Sequence, residues 1–329
     1  MRIVVPDDFP SVYQGQTELE RLAPYGEVVL YGARAAGRQE LIDRLRGAAA
    51  VINVRAYTRF DAELLAALPE LRTIAILGTG TDNVDLDAAT KHGVVVTNTP
   101  GASTVSVAEL TFALMLAAAR HVASADRAVR AGSWRHVEGV ELRGKTLGIV
   151  GLGAIGQEVA SMARAFGMKV VAWSLTPDPE RARRVGATLV GLEELLSVSD
   201  VVSLHLRASA KTAGFIGAGE LATMKPGAIL VNTARGALVD EKSLVEALTS
   251  GQLGAAGLDA FVQEPLPADS PLVRLENVVL SPHTGWVTAE ASSRLRRMPV
   301  DNLIAFFEGR PVNVVNPKVL VLGHTGSDV

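Results

Sequence analysis

The chain of 329 residues contains no cysteine, which excludes disulfide bonds, thiolate metal sites and a cysteine nucleophile. It also lacks an excess of either charge, since 32 Lys and Arg stand against 35 Asp and Glu, for a formal net charge of −3. This balance gives no general attraction to nucleic acid or to an anionic membrane surface. No apolar run approaches the roughly 20 residues that span a bilayer, and the apolar run at Met1–Pro6 is too short for a signal peptide. We therefore expect a cytoplasmic protein without nucleic-acid or membrane partners.

The most informative stretch runs from Thr146 to Ser174. It reads as an apolar strand (TLGIV), the loop GLGAIG, a helix ending at Gly167, and a second strand (KVVAW). A G-x-G-x-x-G loop between a strand and a helix is typical of dinucleotide binding, because its glycines permit a tight turn, approach of a pyrophosphate and close packing. The helix N-terminus adds N–H groups and a positive dipole end. The expected cofactor-binding residues of this loop are Gly151, Gly153, Ala154, Ile155 and Gly156.

Strand and helix patterns alternate along most of the chain, which predicts the α/β class with doubly wound parallel sheets. The alternation breaks at Asn98–Gly101, and a second complete set of strand patterns follows. We predict one domain from residues 1–99 plus 285–329 and a dinucleotide-binding domain from residues 100–284. A long return helix is expected over Thr288–Phe307, kinked or interrupted at Pro299.

Three side chains of different chemistry follow strands of the second predicted sheet, at the edge where ligands of open α/β sheets bind. Arg235 follows one strand, Glu264 lies beyond the next, and His283 lies beyond the last. Singly, they read as a solvated loop cation, a turn residue before proline and a cap. Together they suit hydride transfer to the carbonyl of a small anion, because histidine can supply the proton, a carboxylate can fix its tautomer and arginine can bind the anion.

The chain resembles the D-isomer-specific 2-hydroxyacid dehydrogenases. The resemblance is carried by Gly151–Gly156, by Met224–Gly236, by Gly78–Asp85, and by Glu264 with His283. It implies a flavodoxin-like substrate domain, a Rossmann domain for NAD(H) or NADP(H), and a small 2-keto acid or D-2-hydroxy acid as substrate. Glyoxylate, hydroxypyruvate and pyruvate-like acids form the expected range. In this family pattern Arg235 binds substrate, His283 is the acid/base and Glu264 is its partner.

The same resemblance implies further contacts. The backbone at Gly78, Thr79 and Gly80 is expected to hold the substrate carboxylate, and Arg55 matches a position that faces the substrate in some members. No metal site is expected, because the chain has no cysteine and His283 lacks neighbours at ligand spacing. Beyond the glycine loop, the expected cofactor contacts are Ser174, Leu206, Arg207, Thr233, Asp259 (near the nicotinamide amide) and Gly285.

The residue that should select the cofactor departs from the family pattern. Ser174 stands where an acidic residue normally binds the ribose hydroxyls and repels a 2′-phosphate. NAD is our first choice, and NADP stays open. The arginines that follow, Arg181, Arg183 and Arg184, are predicted to form a solvated helix face.

Two other departures bear on the ligands. Ile76 stands where phosphoglycerate dehydrogenases tend to carry a basic residue, which argues against a phosphorylated substrate, although Arg55 keeps one open. Arg207 replaces a proline of many relatives and is expected either to stack on the adenine, to touch a phosphate, or to be a solvated cation. His205 is predicted to be a core histidine with a hydrogen-bond partner rather than an acid/base.

The family's usual homodimer would use the apolar helix Ser103–Ala119 and the polar arm Arg120–Arg143, which carries Trp134. Burial of that helix within its own domain is the other interpretation. Two alternative functions stay open. One is a D-3-phosphoglycerate dehydrogenase, and the other is a non-enzymatic, dinucleotide-sensing scaffold of the corepressor kind, which keeps the same three residues.

Overall fold

The structure is a computed structural model that describes residues 1–9, 11–54 and 58–322, so Arg55 lies outside the described residues. The chain divides into two compact units, Met1–Ser103 with Ala289–Val329, and Thr104–Thr288. The chain crosses between the units at 103/104 and 288/289, four residues beyond the crossings expected at 99/100 and 284/285. Each unit is built on its own parallel sheet, which confirms the predicted α/β class.

The sheet of the first unit consists, in the described residues, of β1 (Arg2–Val5), β2 (Glu27–Leu30), β3 (Ala48–Val54), β4 (Thr73–Leu77) and β5 (Val95–Thr97). The strands pair in parallel in the order β2-β1-β3-β4-β5, which is the flavodoxin-like order. The side chains of β4 are all buried, so this strand reads as a continuous apolar run, as central strands of parallel sheets do. The intervening helices are a 3₁₀ helix (Glu18–Tyr25), α1 (Arg38–Leu45), α2 (Ala62–Ala66) and α3 (Leu86–Lys91).

The second unit has a parallel sheet with the strands β6 (Thr146–Val150), β7 (Lys169–Trp173), β8 (Thr188–Leu189), β9 (Val201–Leu204), β10 (Ala228–Asn232), β11 (Leu253–Leu258) and β12 (Val278–Leu280). Their order is β12-β11-β10-β9-β6-β7-β8, so the direction of winding reverses between β6 and β9, as in a Rossmann fold. Ligands bind at such a reversal. The α-helices of this unit are α4 (Thr104–Ala119), α5 (Val122–Arg130), α6 (Ala154–Ala165), α7 (Pro179–Val185), α8 (Leu192–Val198), α9 (Ala218–Thr223) and α10 (Glu241–Ser250), and two 3₁₀ turns lie at Gly236–Leu238 and Pro271–Arg274.

The expected long apolar helix is present as α4, and its own unit buries it. Phe112, Leu114 and Met115 are among its buried side chains, and α4 packs on α6, β10 and β11. Gly257 of β11 lies so close that an added Cβ would be 2.9 Å from the Cβ of Leu114. The first part of the polar arm that follows forms the helix α5, which has no buried residue.

The chain returns to the first unit through α11 (Ala289–Phe307) and α12 (Lys318–Leu322). Of the two outcomes expected at Pro299, an interruption is wrong, because α11 runs through it, and a kink stays a prediction. Proline inside a helix costs about 3 kcal/mol. Burial of Leu295, Val300 and Leu303 against the first sheet offsets that cost.

Among the described residues, no single helix is long and apolar enough to cross a membrane. The pair α4 and α5, bent by 63°, meets that criterion jointly, by length and composition only.

Candidate active site

The glycine loop joins β6 to α6, and each of its three glycines has a different surrounding. Gly151 has φ +105°, and an added Cβ would lie 2.7 Å from the carbonyl oxygen of His205. A Cβ at Gly156 would collide with the carbonyl oxygen of Gly151, so the absent side chain lets α6 pack against the turn. At Gly153, by contrast, a Cβ would meet nothing within 4 Å. The absence of a side chain at Gly151 and Gly156 permits close packing of the backbone, whereas at Gly153 it leaves open space.

The first turn of α6 borders that open space and fits a pyrophosphate. Gly153 is the N-cap residue and has no side chain to bind the first-turn N–H groups. Gly153 and Ala154 are exposed, and Ile155 is half-buried. Free N–H groups and the positive end of the helix dipole bind anions. These residues fit the diphosphate of a dinucleotide.

The carboxyl end of β7 carries the side chains that would meet the adenosine ribose. Ser174 Oγ accepts a hydrogen bond of 2.8 Å from the N–H of Leu152, so this side chain is turned toward the glycine loop. The guanidinium of Arg181 reaches back from α7, with Nη1 3.4 Å from the carbonyl oxygen of Leu152. The predicted solvated helix face is therefore wrong for Arg181, whose side chain is 33% exposed, but it holds for Arg183, which is 71% exposed.

The loop after β9 borders the other side of the glycine turn. Leu206 is half-buried, and its Cδ2 would lie 3.0 Å from a Cβ placed on Gly151. Arg207 is exposed. His205 Nε2 lies 2.9 Å from Ser203 Oγ, and burial lowers the pKa of His205 to about 4. His205 is half-buried and directly follows β9, so it lies at the edge of the core, and it has the hydrogen-bond partner that was predicted.

His283 and Glu264 form a hydrogen-bonded pair beyond β11 and β12. His283 Nδ1 lies 2.8 Å from Glu264 Oε2, while Glu264 Oε1 accepts the N–H of Phe261 at 3.0 Å. Burial acts to raise the pKa of Glu264, but the hydrogen bond and charge of His283, the Phe261 N–H and the charge of Arg235 outweigh it, so this pKa lies below its usual value. An ionised carboxylate only accepts, so Nδ1 of His283 is the donor in this pair.

Arg235 lies on a turn that two other residues shape. Asn232 bridges this turn, since its Oδ1 accepts the N–H of Ala234 at 3.0 Å and its Nδ2 donates to the carbonyl oxygen of Arg235 at 2.9 Å. A Cβ on Gly236 would collide with the backbone of Phe261. Gly236 therefore lets the Arg235 turn lie directly against the segment that leads to Glu264.

Asp259 holds the turn that carries His283. Its Oδ1 accepts the N–H of Thr284 and its Oδ2 that of Gly285, both at 2.8 Å, and the side chain is 2% exposed. His283 itself has φ +56°, a left-handed conformation that is uncommon for a residue with a side chain. Two charge-assisted bonds on the following residues help to hold this conformation.

A buried pair of hydroxyls lies at the end of β10. Thr233 Oγ1 is 2.8 Å from Thr111 Oγ1, and Thr111 Oγ1 donates to the carbonyl oxygen of Val107 at 2.7 Å. A hydroxyl has one proton. Thr111 uses its proton on Val107, so Thr233 must be the donor within the pair and keeps only acceptor capacity for a ligand.

In the first unit, the loop after β4 is tied to the segment after β5. The N–H of Gly78, which has φ +142°, donates to Thr99 Oγ1 at 3.0 Å. Asn98 Nδ2 donates to the carbonyl oxygen of Thr79 at 2.8 Å. The Gly78 amide is thus engaged, and a carboxylate bound in this loop would take the N–H groups of Thr79 and Gly80.

Sequence reasoning missed several residues that shape the site. Asn232 and Gly236 were not singled out, and Asp259 was not expected to bind the His283 turn. Asn232 stands in a strand-end run, N-T-A-R-G, whose Asx-type side chain was an available signal for a turn. Across 1–9, 11–54 and 58–322 there is no group of three or more His, Asp or Glu arranged to hold a metal ion.

A dinucleotide-type glycine loop in the same unit as an Arg–Glu–His set at successive strand ends defines the class of nicotinamide-dependent oxidoreductases. Comparison with known proteins identifies the family. A sequence profile described as D-isomer specific 2-hydroxyacid dehydrogenase, NAD binding domain, matches residues 112–285. The chain belongs to the D-isomer specific 2-hydroxyacid dehydrogenase family.

Individual relatives agree with this assignment. A glyoxylate reductase of Aeropyrum pernix is 43% identical over 319 residues, which cover 94% of this chain and 95% of the relative. A D-3-phosphoglycerate dehydrogenase of Archaeoglobus fulgidus is also 43% identical, but the match covers 85% of this chain and 53% of that longer protein. The crystal structure of a glyoxylate reductase from Paecilomyes thermophila superposes with a TM-score of 0.88 at 35% identity, covering 96% of this chain and 98% of the other.

The family assignment confirms the predicted reaction class. The chain is an oxidoreductase that acts on the CH–OH group of 2-hydroxy acids with a nicotinamide cofactor. The phosphoglycerate dehydrogenase and scaffold alternatives are not favoured.

Proposed function

We propose that this chain reduces a small, unphosphorylated 2-keto acid to the D-2-hydroxy acid, with His283 as the proton donor. The observation that carries the proposal is the 2.8 Å contact between His283 Nδ1 and Glu264 Oε2. The charge of Arg235 lies close enough to this pair to help lower the pKa of Glu264. The contact and the nearby positive charge support an acid/base pair assisted by an anion-binding cation.

Each residue has a distinct role in the proposal. When bound, the reduced nicotinamide supplies a hydride to the carbonyl carbon of the keto acid. Nε2 of His283 gives its proton to the carbonyl oxygen and takes it back in the reverse reaction, while Glu264 fixes the tautomer. Arg235 binds the substrate through paired N–H donors and polarises its carbonyl. The N–H groups of Thr79 and Gly80 bind the carboxylate.

The cofactor is proposed to bind along the carboxyl ends of the second sheet. The diphosphate would lie on Gly153, Ala154 and Ile155, with Gly151 and Gly156 shaping the loop. Asp259 is proposed to approach the nicotinamide amide while it holds the His283 turn. Leu206, Arg207, Ser174, Thr233 and Gly285 are proposed to complete the contacts.

An unphosphorylated substrate of the glyoxylate, hydroxypyruvate or pyruvate type is favoured by Ile76. This side chain is 2% exposed and packs in the apolar core of the first unit. It therefore offers no cation near the Gly78 loop. The relatives named glyoxylate reductase, which match almost end to end, support glyoxylate as the first substrate to test.

The test is oxidation of NADH and NADPH, followed at 340 nm, with glyoxylate, hydroxypyruvate, pyruvate, a branched 2-keto acid and phosphohydroxypyruvate. We expect turnover of one unphosphorylated acid and a loss of roughly 10²- to 10⁴-fold in His283→Ala, the usual share of a general acid. Arg235→Lys keeps the charge but loses the paired donors, so its KM should rise. His92→Ala, at the exposed end of α3, is the control and should behave like the wild type. Full activity of His283→Ala, or preference for phosphohydroxypyruvate, would contradict the proposal.

We further propose a cytoplasmic homodimer whose contact includes the segment 120–143. The apolar side of α4 packs within its own unit, whereas Trp134 is 81% exposed and Val137 and Val140 are also exposed. Neighbouring exposed apolar side chains are typical of an interaction surface. Light scattering should give twice the chain mass of 34.6 kDa for the wild type, and Trp134→Asp should shift it toward the monomer.

A further inference from the structure

We propose that this enzyme selects NADP(H) over NAD(H), and that Arg181 and Ser174 together form the 2′-phosphate site. The inference deepens the proposed function, because it rests on a dinucleotide bound at the glycine loop and names its form. It reverses our first choice from the sequence, which was NAD(H), and the prediction that Arg181 belongs to a solvated helix face.

The two side chains converge on one residue of the glycine loop. Ser174 Oγ accepts the N–H of Leu152 at 2.8 Å, and Arg181 Nη1 lies 3.4 Å from the carbonyl oxygen of the same Leu152. Ser174 directly follows β7, the strand end at which the adenosine ribose of a dinucleotide is bound in this fold. A guanidinium therefore lies beside the ribose position, although Arg181 is seven residues further along the chain.

The chemistry of Ser174 suits a phosphate oxygen. An acidic residue at this position would accept the ribose hydroxyls and repel a 2′-phosphate. A serine carries no charge, so the repulsion is absent. Its oxygen already accepts the Leu152 N–H, which leaves its own proton available to donate.

Arg181 is positioned by α7, and its contacts with neighbouring residues leave hydrogen-bond donors available for a ligand. Asp178 caps α7 by accepting the N–H of Arg181 at 3.0 Å, and its Oδ2 lies 3.4 Å from Arg181 Nη2. That backbone hydrogen bond, together with the charges of Arg181 and Arg184, lowers the pKa of Asp178 against the opposing effect of burial. Both side-chain contacts of Arg181 are long, whereas Arg183 forms a 2.9 Å ion pair with Glu180 on the exposed face. A guanidinium with five donors can replace two such long contacts by a bidentate bond to phosphate.

The test uses two fragments that differ only in the 2′-phosphate, adenosine 2′,5′-bisphosphate and 5′-AMP. Their dissociation constants are measured by calorimetry on the full-length protein. Neither fragment contains nicotinamide, so the result does not depend on turnover, and failure of this inference is distinguishable from failure of the proposed reaction. We expect the wild type to bind the bisphosphate roughly 10- to 100-fold more tightly, the range of one to two charge-assisted hydrogen bonds.

Single substitutions distinguish a specific 2′-phosphate site from a general effect of positive charge on this helix. Arg181→Ala should remove most of this preference and leave 5′-AMP binding and the unfolding temperature unchanged. Arg183→Ala removes the same charge from the same helix and should keep the preference. Ser174→Asp should reverse it in favour of 5′-AMP. The inference is overturned if the wild type binds the two fragments equally, if Arg181→Ala weakens both alike, or if Arg183→Ala loses the preference as well.

Discussion

Replacing Asp259 with asparagine tests whether this carboxylate acts by holding the turn that carries His283. Both of its oxygens accept a backbone N–H at 2.8 Å. An amide has one acceptor oxygen, so the variant leaves one of these N–H groups facing an NH₂ group. An unsatisfied buried donor costs about 1–3 kcal/mol. At about 2–4 °C per kcal/mol for a unit of this size, the unfolding midpoint should fall by roughly 2–12 °C.

Kinetics separate this positioning role from a direct contact with the cofactor. A loosened turn displaces the imidazole, and a displacement of about 1 Å costs on the order of 100-fold in kcat. Cofactor affinity, measured by fluorescence titration, reports separately on the proposed approach of Asp259 to the nicotinamide amide. Asp85→Asn is the control, because Asp85 accepts only the N–H of Ala88 as a helix cap and Asn caps equally well. An unchanged midpoint and kcat in Asp259→Asn would refute this reasoning, and a parallel loss of cofactor affinity would assign Asp259 to the nicotinamide.

The remaining predictions concern the glycine loop and the acid/base pair. Gly153→Ala should keep the wild-type unfolding midpoint, because its Cβ meets nothing within 4 Å, yet weaken cofactor binding at least about tenfold by filling the open space. Gly156→Ala should instead lower the midpoint, because its Cβ collides with Gly151, and thermal scans of both variants check the contrast. The pKa of Glu264 in the folded chain lies below the value of about 4.3 in the unfolded chain, so ionisation of this carboxyl group stabilises the fold at pH values above 4.3. This stabilisation is lost as the pH falls through the pKa of the folded state. The difference in midpoint between wild type and Glu264→Gln should therefore shrink as the pH falls from 5 toward 3; a constant difference over that range would contradict it.

The sequence predicted the parts of the site that depend on neighbours along the chain. The strand, loop, helix and strand from β6 through α6 to β7 could be predicted, because glycine spacing and apolar periodicity are local signals in the sequence. The parallel sheets followed from alternating strand and helix patterns. The acid/base pair was proposed from strand-end position and family resemblance, and its 2.8 Å contact is a finding of the structure.

The rest depends on distances between segments that are far apart in the chain. Gly236 matters because it meets Phe261, and Arg181 because it reaches Leu152, 29 residues earlier. Nothing in the pattern around Arg181 distinguishes it from Arg183, since both belong to the same charged helix. At Pro299 the helix continues where an interruption was one expected outcome, because burial of the surrounding helix outweighs the local cost of proline.

The strand order of the second sheet has a consequence for engineering. Arg181 and Ser174 act at the end of β7, whereas His283 acts beyond β12, and the order β12-β11-β10-β9-β6-β7 separates them by five steps. At about 4.8 Å per step the separation is roughly 24 Å, well beyond the range of about 7–10 Å at which mutational effects couple. Substitutions that change cofactor preference and substitutions that change proton transfer should therefore act independently. Their effects on the reaction rate should multiply when they are combined in one variant.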